Sequence, residues 1–162
     1  MYNNRNMTVK ELKKLVQDIV ASSKCLSETF TTEKNVPVNY VCVFTHTDEE
    51  FTDLIDCSKE MGEIAHETAT GPIFLISPIS TVAGTLRILK IRKPDPKRPE
   101  RGDADFTLPD YPSFKEKYSG QIGFNVIVRP EMEMMELLNP CYNVLVYYSY
   151  PTLAEVLKIK ID

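Results

Sequence analysis

Apolar and polar positions alternate along this chain in two different rhythms. Val9, Leu12, Leu15, Val16, Ile19 and Val20 recur every three to four residues, with Lys10, Lys13, Lys14 and Asp18 between them. That spacing predicts a one-sided helix to about Ser22. Thr8-Val9-Lys10-Glu11 opens it as a capping box, in which the threonine hydroxyl takes up an otherwise orphaned amide. Residues 24–35 are polar and read as a connector. Val38–Thr45 is β-branched and aromatic and predicts a strand. A second box, Thr47 to Glu50, starts a helix whose apolar positions Phe51, Leu54, Ile55, Met61 and Ile64 carry it to about Ala65.

Gly71-Pro72 breaks the chain, and Ile73–Ile76 is an apolar run of strand length before Ser77-Pro78. Over residues 81–92 Leu86 and Ile88 point one way and Leu89 and Ile91 the other, which suits a bulged strand, a strand buried on both faces or a helix, with Thr81, Val82, Gly84 and Thr85 favouring strand. Ala104, Phe106 and Leu108 alternate with Asp103, Asp105 and Thr107, a short strand with both carboxylates on one face. Ser113 to Glu116 offers a short helix to Tyr118, and Ile122–Val128 a further strand. Pro130 followed by EMEMMELL predicts two helical turns. Tyr142–Tyr148 is a strand, and Thr152 to Glu155 caps a terminal helical turn.

The expected fold is therefore α+β: a mostly antiparallel sheet of five or six strands with helices mainly on one face. With 162 residues the chain is expected to form one domain, with residues 1–7 flexible. No internal repeat is visible in the sequence. No apolar run is long enough for a membrane helix, and the polar start Met1-Tyr2-Asn3-Asn4-Arg5-Asn6 has no signal-peptide core, so a cytoplasmic address is expected. The four cysteines include no C-x-x-C pair and read as reduced thiols.

Charge picks out one segment. Between Arg87 and Arg101 seven Lys and Arg face two acids, a local charge of +5 in a chain of net −4. Pro94, Pro96, Pro99, Pro109 and Pro112 stiffen residues 94–112, because proline fixes φ and removes a donor. A basic flap lying over the sheet would present guanidinium forks, which match carboxylate and phosphate. The expected ligand-binding residues are Arg87, Arg92, Arg98, Arg101, Asp103 and Asp105, around a small carboxylate or phosphate. Asp103 and Asp105 either orient the arginines, act as acid and base, or simply pair with nearby cations such as Lys90. An enzyme built this way would be a lyase or hydrolase, but no catalytic residue is singled out.

Two other readings stand beside this one. The protein is alternatively an interaction or homodimerising module, with the first helix and the methionine-rich segment against a partner. Or Asp103 and Asp105 join His46 or another acid around a hard cation, although no metal-ligand motif is present. His46 and His66, the latter placed at a helix end, read as surface residues. No glycine-rich phosphate loop, nucleophile elbow or zinc helix occurs, and no cofactor is implied. The acidic net charge argues against nucleic acid.

Overall fold

The computed structural model describes residues 6–161. Its elements are α1 (Val9–Phe30), β1 (Val38–Phe44), α2 (Asp48–Met61), β2 (Gly62–Thr68), β3 (Gly71–Thr81), β4 (Gly84–Arg92), β5 (Gly102–Phe106), α3 (Tyr111–Tyr118), β6 (Phe124–Val128), β7 (Glu133–Leu137), β8 (Val144–Tyr150) and α4 (Leu153–Leu157). Most of the N-terminal stretch expected to be flexible, residues 1–5, lies outside the described residues. The strands form one mixed sheet in the order β2-β3-β4-β1-β5-β8-β7-β6. Its pairings are antiparallel except β1 with β4 and β5 with β8.

The α+β class holds, but the sheet has eight strands rather than five or six. Its topology repeats. β1-α2-β2-β3-β4 is a βαβββ unit whose first strand runs parallel to its last, and β5-α3-β6-β7-β8 is the same unit again. The two units join where β1 and β5 pair antiparallel. The repeat is invisible in the sequence because the two halves fill equivalent positions with different residues.

α1 packs on one face of the sheet. Leu12, Val16, Ile19, Val20 and Leu26 are buried there with Val41, Val43, Ala104, Phe106, Val146 and Tyr148 from the strands. Leu54 and Met61 of α2 and Phe114 and Tyr118 of α3 join the same cluster. Aromatic packing closes one end, with the Phe114 ring 4.5 Å from Tyr148 and 4.6 Å from Tyr118 between centroids.

Four expectations are corrected by the fold. α1 runs eight residues past Ser22, because Ser23, Leu26 and Ser27 still face the core; Ser27 Oγ lies 2.6 Å from the Tyr148 hydroxyl, both buried. α2 stops at Met61, and the stretch containing Ile64 and His66 is the edge strand β2, where Ile64 is exposed. The strand read over residues 81–92 is β4, with Leu86, Ile88, Leu89 and Ile91 all buried, but it starts only at Gly84 after Thr81 ends β3 and a turn follows; the register between β3 and β4 slips beside Ser77-Pro78, where proline has no amide to give the ladder. The segment read as a helix after Pro130 is β7, held between β6 and β8. Met, Glu and Leu favour helices, but such a preference is under a kcal/mol per residue and yields to pairing on both sides.

Thr8, Thr47 and Thr152 are N-caps as expected, and at Thr152 the Glu155 carboxylate completes the reciprocal box, while the Glu50 carboxylate accepts from the His46 amide rather than from Thr47. Each hydroxyl accepts an amide hydrogen bond three residues on, from Glu11, Glu50 and Glu155 respectively. Among the described residues no helix is long and apolar enough to cross a membrane.

Candidate functional site

Period-two alternation sends a second set of side chains to the face away from α1. The registers align them in rows. Lys90, Cys42, Asp103 and Leu145 lie side by side across β4, β1, β5 and β8. Tyr40, Asp105, Tyr147, Glu136 and Asn125 form the next row, and Ser149, Met134 and Ile127 the third. A cavity of about 300 Å³ opens on this face. It touches residues of β4, β1, β5, β8, β7 and β6, together with Thr70 of the β2–β3 turn and Leu153 of α4. Six flat strands would span roughly 24 Å at ~4.8 Å per step. For one cavity of this size to meet all six, the sheet curls around it.

Residues 93–101 form the basic loop along one side. Its ends are knitted into the fold. The Lys93 amide donates to Thr70 O (2.8 Å) and the Arg101 amide to Asn143 O (2.8 Å). Asp95 turns it, accepting from the Lys97 amide at 2.9 Å and from Arg92 Nη2 at 3.1 Å. Arg98 points across the sheet, its Nη2 3.8 Å from Glu136 Oε2 on β7. The stretch expected as one flap to residue 112 is interrupted by β5, and of its first half only Arg98 reaches the cavity, while Pro94, Asp95, Pro96 and Pro99 line a separate depression with His46.

Four of the six residues singled out by the sequence line this cavity: Arg92, Arg98, Asp103 and Asp105. The other two do not. Arg87 lies beside Glu63, Leu75 and Lys160 in a separate depression. Arg101 is turned to α2, its Nη1 2.7 Å from Glu50 Oε1 and 3.1 Å from Phe44 O. Lys90 and Arg129 add two cations, and among the described residues neither has an ion-pair partner within 4.0 Å. Lys90 was legible as an alternating neighbour of Arg92. Arg129 belongs to the other half of the sheet, and nothing local marks it.

The two aspartates are the least ordinary groups here. Asp103 and Asp105 are only 5% and 2% exposed. Asp105 is well provided for: Ser149 donates through both its amide (3.0 Å) and its hydroxyl, and Asn39 Nδ2 donates at 3.1 Å. Burial pushes its carboxyl up to about 6 against those hydrogen bonds. Asp103 Oδ1 is buried with no hydrogen-bond partner. Burial first, and then the neighbouring Asp105 charge, raise the Asp103 carboxyl well above the usual range, although Lys90, Arg92 and Arg98 oppose them. Neither aspartate forms an ion pair with the cations of the loop.

Burial and the Asp103 charge also raise the Cys42 thiol, which is therefore a neutral, weakly reactive group. His46 stands apart, exposed, with Nε2 3.0 Å from Glu100 O. Among the described residues no three His, Cys, Asp or Glu side chains gather as a metal set.

No family model matches this chain, and no curated protein does. A solved structure described as "Structural Genomics, Protein EC4020" is similar over 99% of this chain and 100% of its own, with a TM-score of 0.67 and 12% sequence identity. At that identity the likeness shows the fold alone.

Proposed function

We propose that the protein binds a small anionic molecule, a carboxylate or a phosphate, in the cavity between the sheet and the 93–101 loop. One observation carries this reading. Lys90, Arg92, Arg98 and Arg129 line a single concavity whose floor holds a buried carboxyl oxygen without a partner. A buried polar atom left unpaired is costly unless something satisfies it. A ligand with a hydrogen-bond donor for Asp103 Oδ1 and an anionic group among the cations would do so. A cavity of this volume falls at the lower end of small-molecule sites. Four cations against the two aspartates make the lining net cationic, so an anion is favoured over a cation.

The interaction-module reading has less to draw on. Of what it would have used, the apolar face of α1 and Met135 are already buried in the chain's own core, and Met132 and Met134 are half-buried in the cavity lining.

A thermal-shift series with sulfate, phosphate and small carboxylates tests the proposal, because a ligand that binds only the folded state raises its apparent stability. At least one anion is expected to raise the melting temperature of the wild type and to lose that effect in Arg98→Ala and Lys90→Ala. A cooperatively melting protein that no anion stabilises would refute the reading.

A further inference from the structure

Two carboxyls stand in the cavity lining, and the chain answers only one of them. Asp105 accepts from the Ser149 amide at 3.0 Å and from Asn39 Nδ2 at 3.1 Å. Asp103 Oδ1 accepts from nothing. The donors around it are committed elsewhere. The Tyr147 hydroxyl donates to Glu136 Oε2 at 2.6 Å, and Arg92 Nη2 to Asp95 Oδ2 at 3.1 Å. Cys42, which faces Asp103 across the β1–β5 ladder, has its Sγ 4.0 Å from Val43 O. Among the described residues, Asp103 alone brings to this cavity a buried side-chain oxygen without a partner.

Cations come to the cavity from both ends of the strand order, Lys90 and Arg92 on β4 and Arg129 just past β6. Asp103 on β5 lies between them. Lys90 and Asp103 share one row, separated by Cys42. Two strand steps put their Cα atoms ~10 Å apart, so one small molecule seated between them reaches both side chains. A cavity of about 300 Å³ also limits the ligand to a small one.

A bare anion would pair with the cations but leave Asp103 Oδ1 unpaired and facing a like charge. An ammonium group would satisfy that oxygen, but it would enter a lining with four cations and two carboxyls. Burial raises both carboxyls, which weakens the counter-charge they offer an ammonium. A hydroxyl brings no charge into the site. It donates to a carboxylate oxygen, and equally to the oxygen of a protonated carboxyl that carries no hydrogen. Resting on the anion reading above, we infer that the ligand is a small anion bearing a hydroxyl group, its carboxylate or phosphate among the cations and its hydroxyl donating to Asp103.

Calorimetric titration of the full chain with matched pairs, at fixed pH and ionic strength, tests this. The pairs are propanoate with lactate, and propyl phosphate with glycerol 3-phosphate; alanine replaces the lactate hydroxyl by an ammonium. In at least one pair the hydroxylated member is expected to bind about tenfold or more tightly, the usual effect of a hydrogen bond to a charged group. The pair that shows the gain identifies the anionic group. Asp103→Leu, similar in size but without an acceptor, is expected to erase the difference, and Asp103→Asn, which keeps an acceptor, to retain part of it. Members of both pairs that bind alike to the wild type would overturn the inference and leave the anion site standing. A hydroxyl gain that persists in Asp103→Leu would overturn the partner assigned to it. Alanine binding more tightly than lactate would overturn the choice of a neutral donor. No binding by any of the four anions would overturn the inference and the anion reading together.

Discussion

Cys42 and Asp103 stand opposite one another across the β1–β5 ladder, where one βαβββ unit meets the other. The junction thus places a neutral thiol from the first unit against a carboxyl from the second, at the floor of the cavity. Lys90 flanks Cys42 on the other side through the parallel β1–β4 pairing. The polar face of the junction is the origin of the site, and its energetics follow from burying two carboxyls there.

Asp103 sets a pH dependence of stability with a definite sign. Its folded pKa is raised, as is that of Asp105, which lies at about 6. Below about pH 4 both folded and unfolded chains hold these protons. As pH rises, the unfolded chain releases them first, so stability falls from the unfolded value up through the folded ones. Asp103→Asn removes the Asp103 share. In urea unfolding it is expected to be more stable than wild type at about pH 8, with the advantage shrinking towards about pH 5, at about 1.4 kcal/mol for each tenfold difference in proton affinity between the folded and unfolded chain. The acids with lowered values, Glu28, Asp110 and Glu133, lose their contribution only on acidification below that window. An advantage that is flat with pH, or reversed, would contradict the assignment.

Gly102 fixes how closely β5 approaches β1. A Cβ built there would lie 2.3 Å from Cys42 O and 3.0 Å from Ile19 Cδ1. The first clash is with backbone, which cannot swing aside. Gly102→Ala is expected to destabilise by about 1–3 kcal/mol, the range of overpacked interiors, measured as a lower urea midpoint at unchanged slope.

The hydroxyls of Ser27 and Tyr148 form a buried tie between α1 and β8 at 2.6 Å. Tyr148→Phe removes one partner and is expected to cost about 1 kcal/mol. Adding Ser27→Ala should recover part of that loss, because two apolar groups leave no orphan. A double variant whose loss equals the sum of the single ones would show that the two hydroxyls do not act as a pair.

Thr8 caps the 22-residue α1 by accepting from the Glu11 amide at 3.1 Å. Thr8→Ala is expected to lower stability by about 1 kcal/mol. Thr8→Ser, which keeps the acceptor, should stay close to wild type in the same denaturation series.

Local rules made much of this protein legible. The three threonine caps, the strand from Val38 and the β5 carboxylates on one face all follow from spacing and short-range sterics, which the neighbouring residues suffice to set. Arg92 and Arg98 were legible as members of a cationic run, but so were Arg87 and Arg101, which composition cannot tell apart from them. Which cation turns inward depends on where the chain around it is anchored: Glu50 draws Arg101 to α2, and Glu136 lies near Arg98 over the sheet.

Residue order alone was enough for the class of the fold, the N-caps of α1, α2 and α4 (α3 is capped by Asp110, not at Ser113) and the alternation that gives each strand a core face and an open face. It was not enough for the glutamate- and methionine-rich segment, which is a strand because pairing to β6 and β8 outweighs a small intrinsic helical preference. Nor could it reveal the repeat of the βαβββ unit, or the meeting of Lys90, Arg98, Asp103 and Arg129 at one cavity. Those residues are brought together by long-range strand pairing and sheet curvature, which depend on contacts between distant parts of the chain and leave no mark in any short window of it.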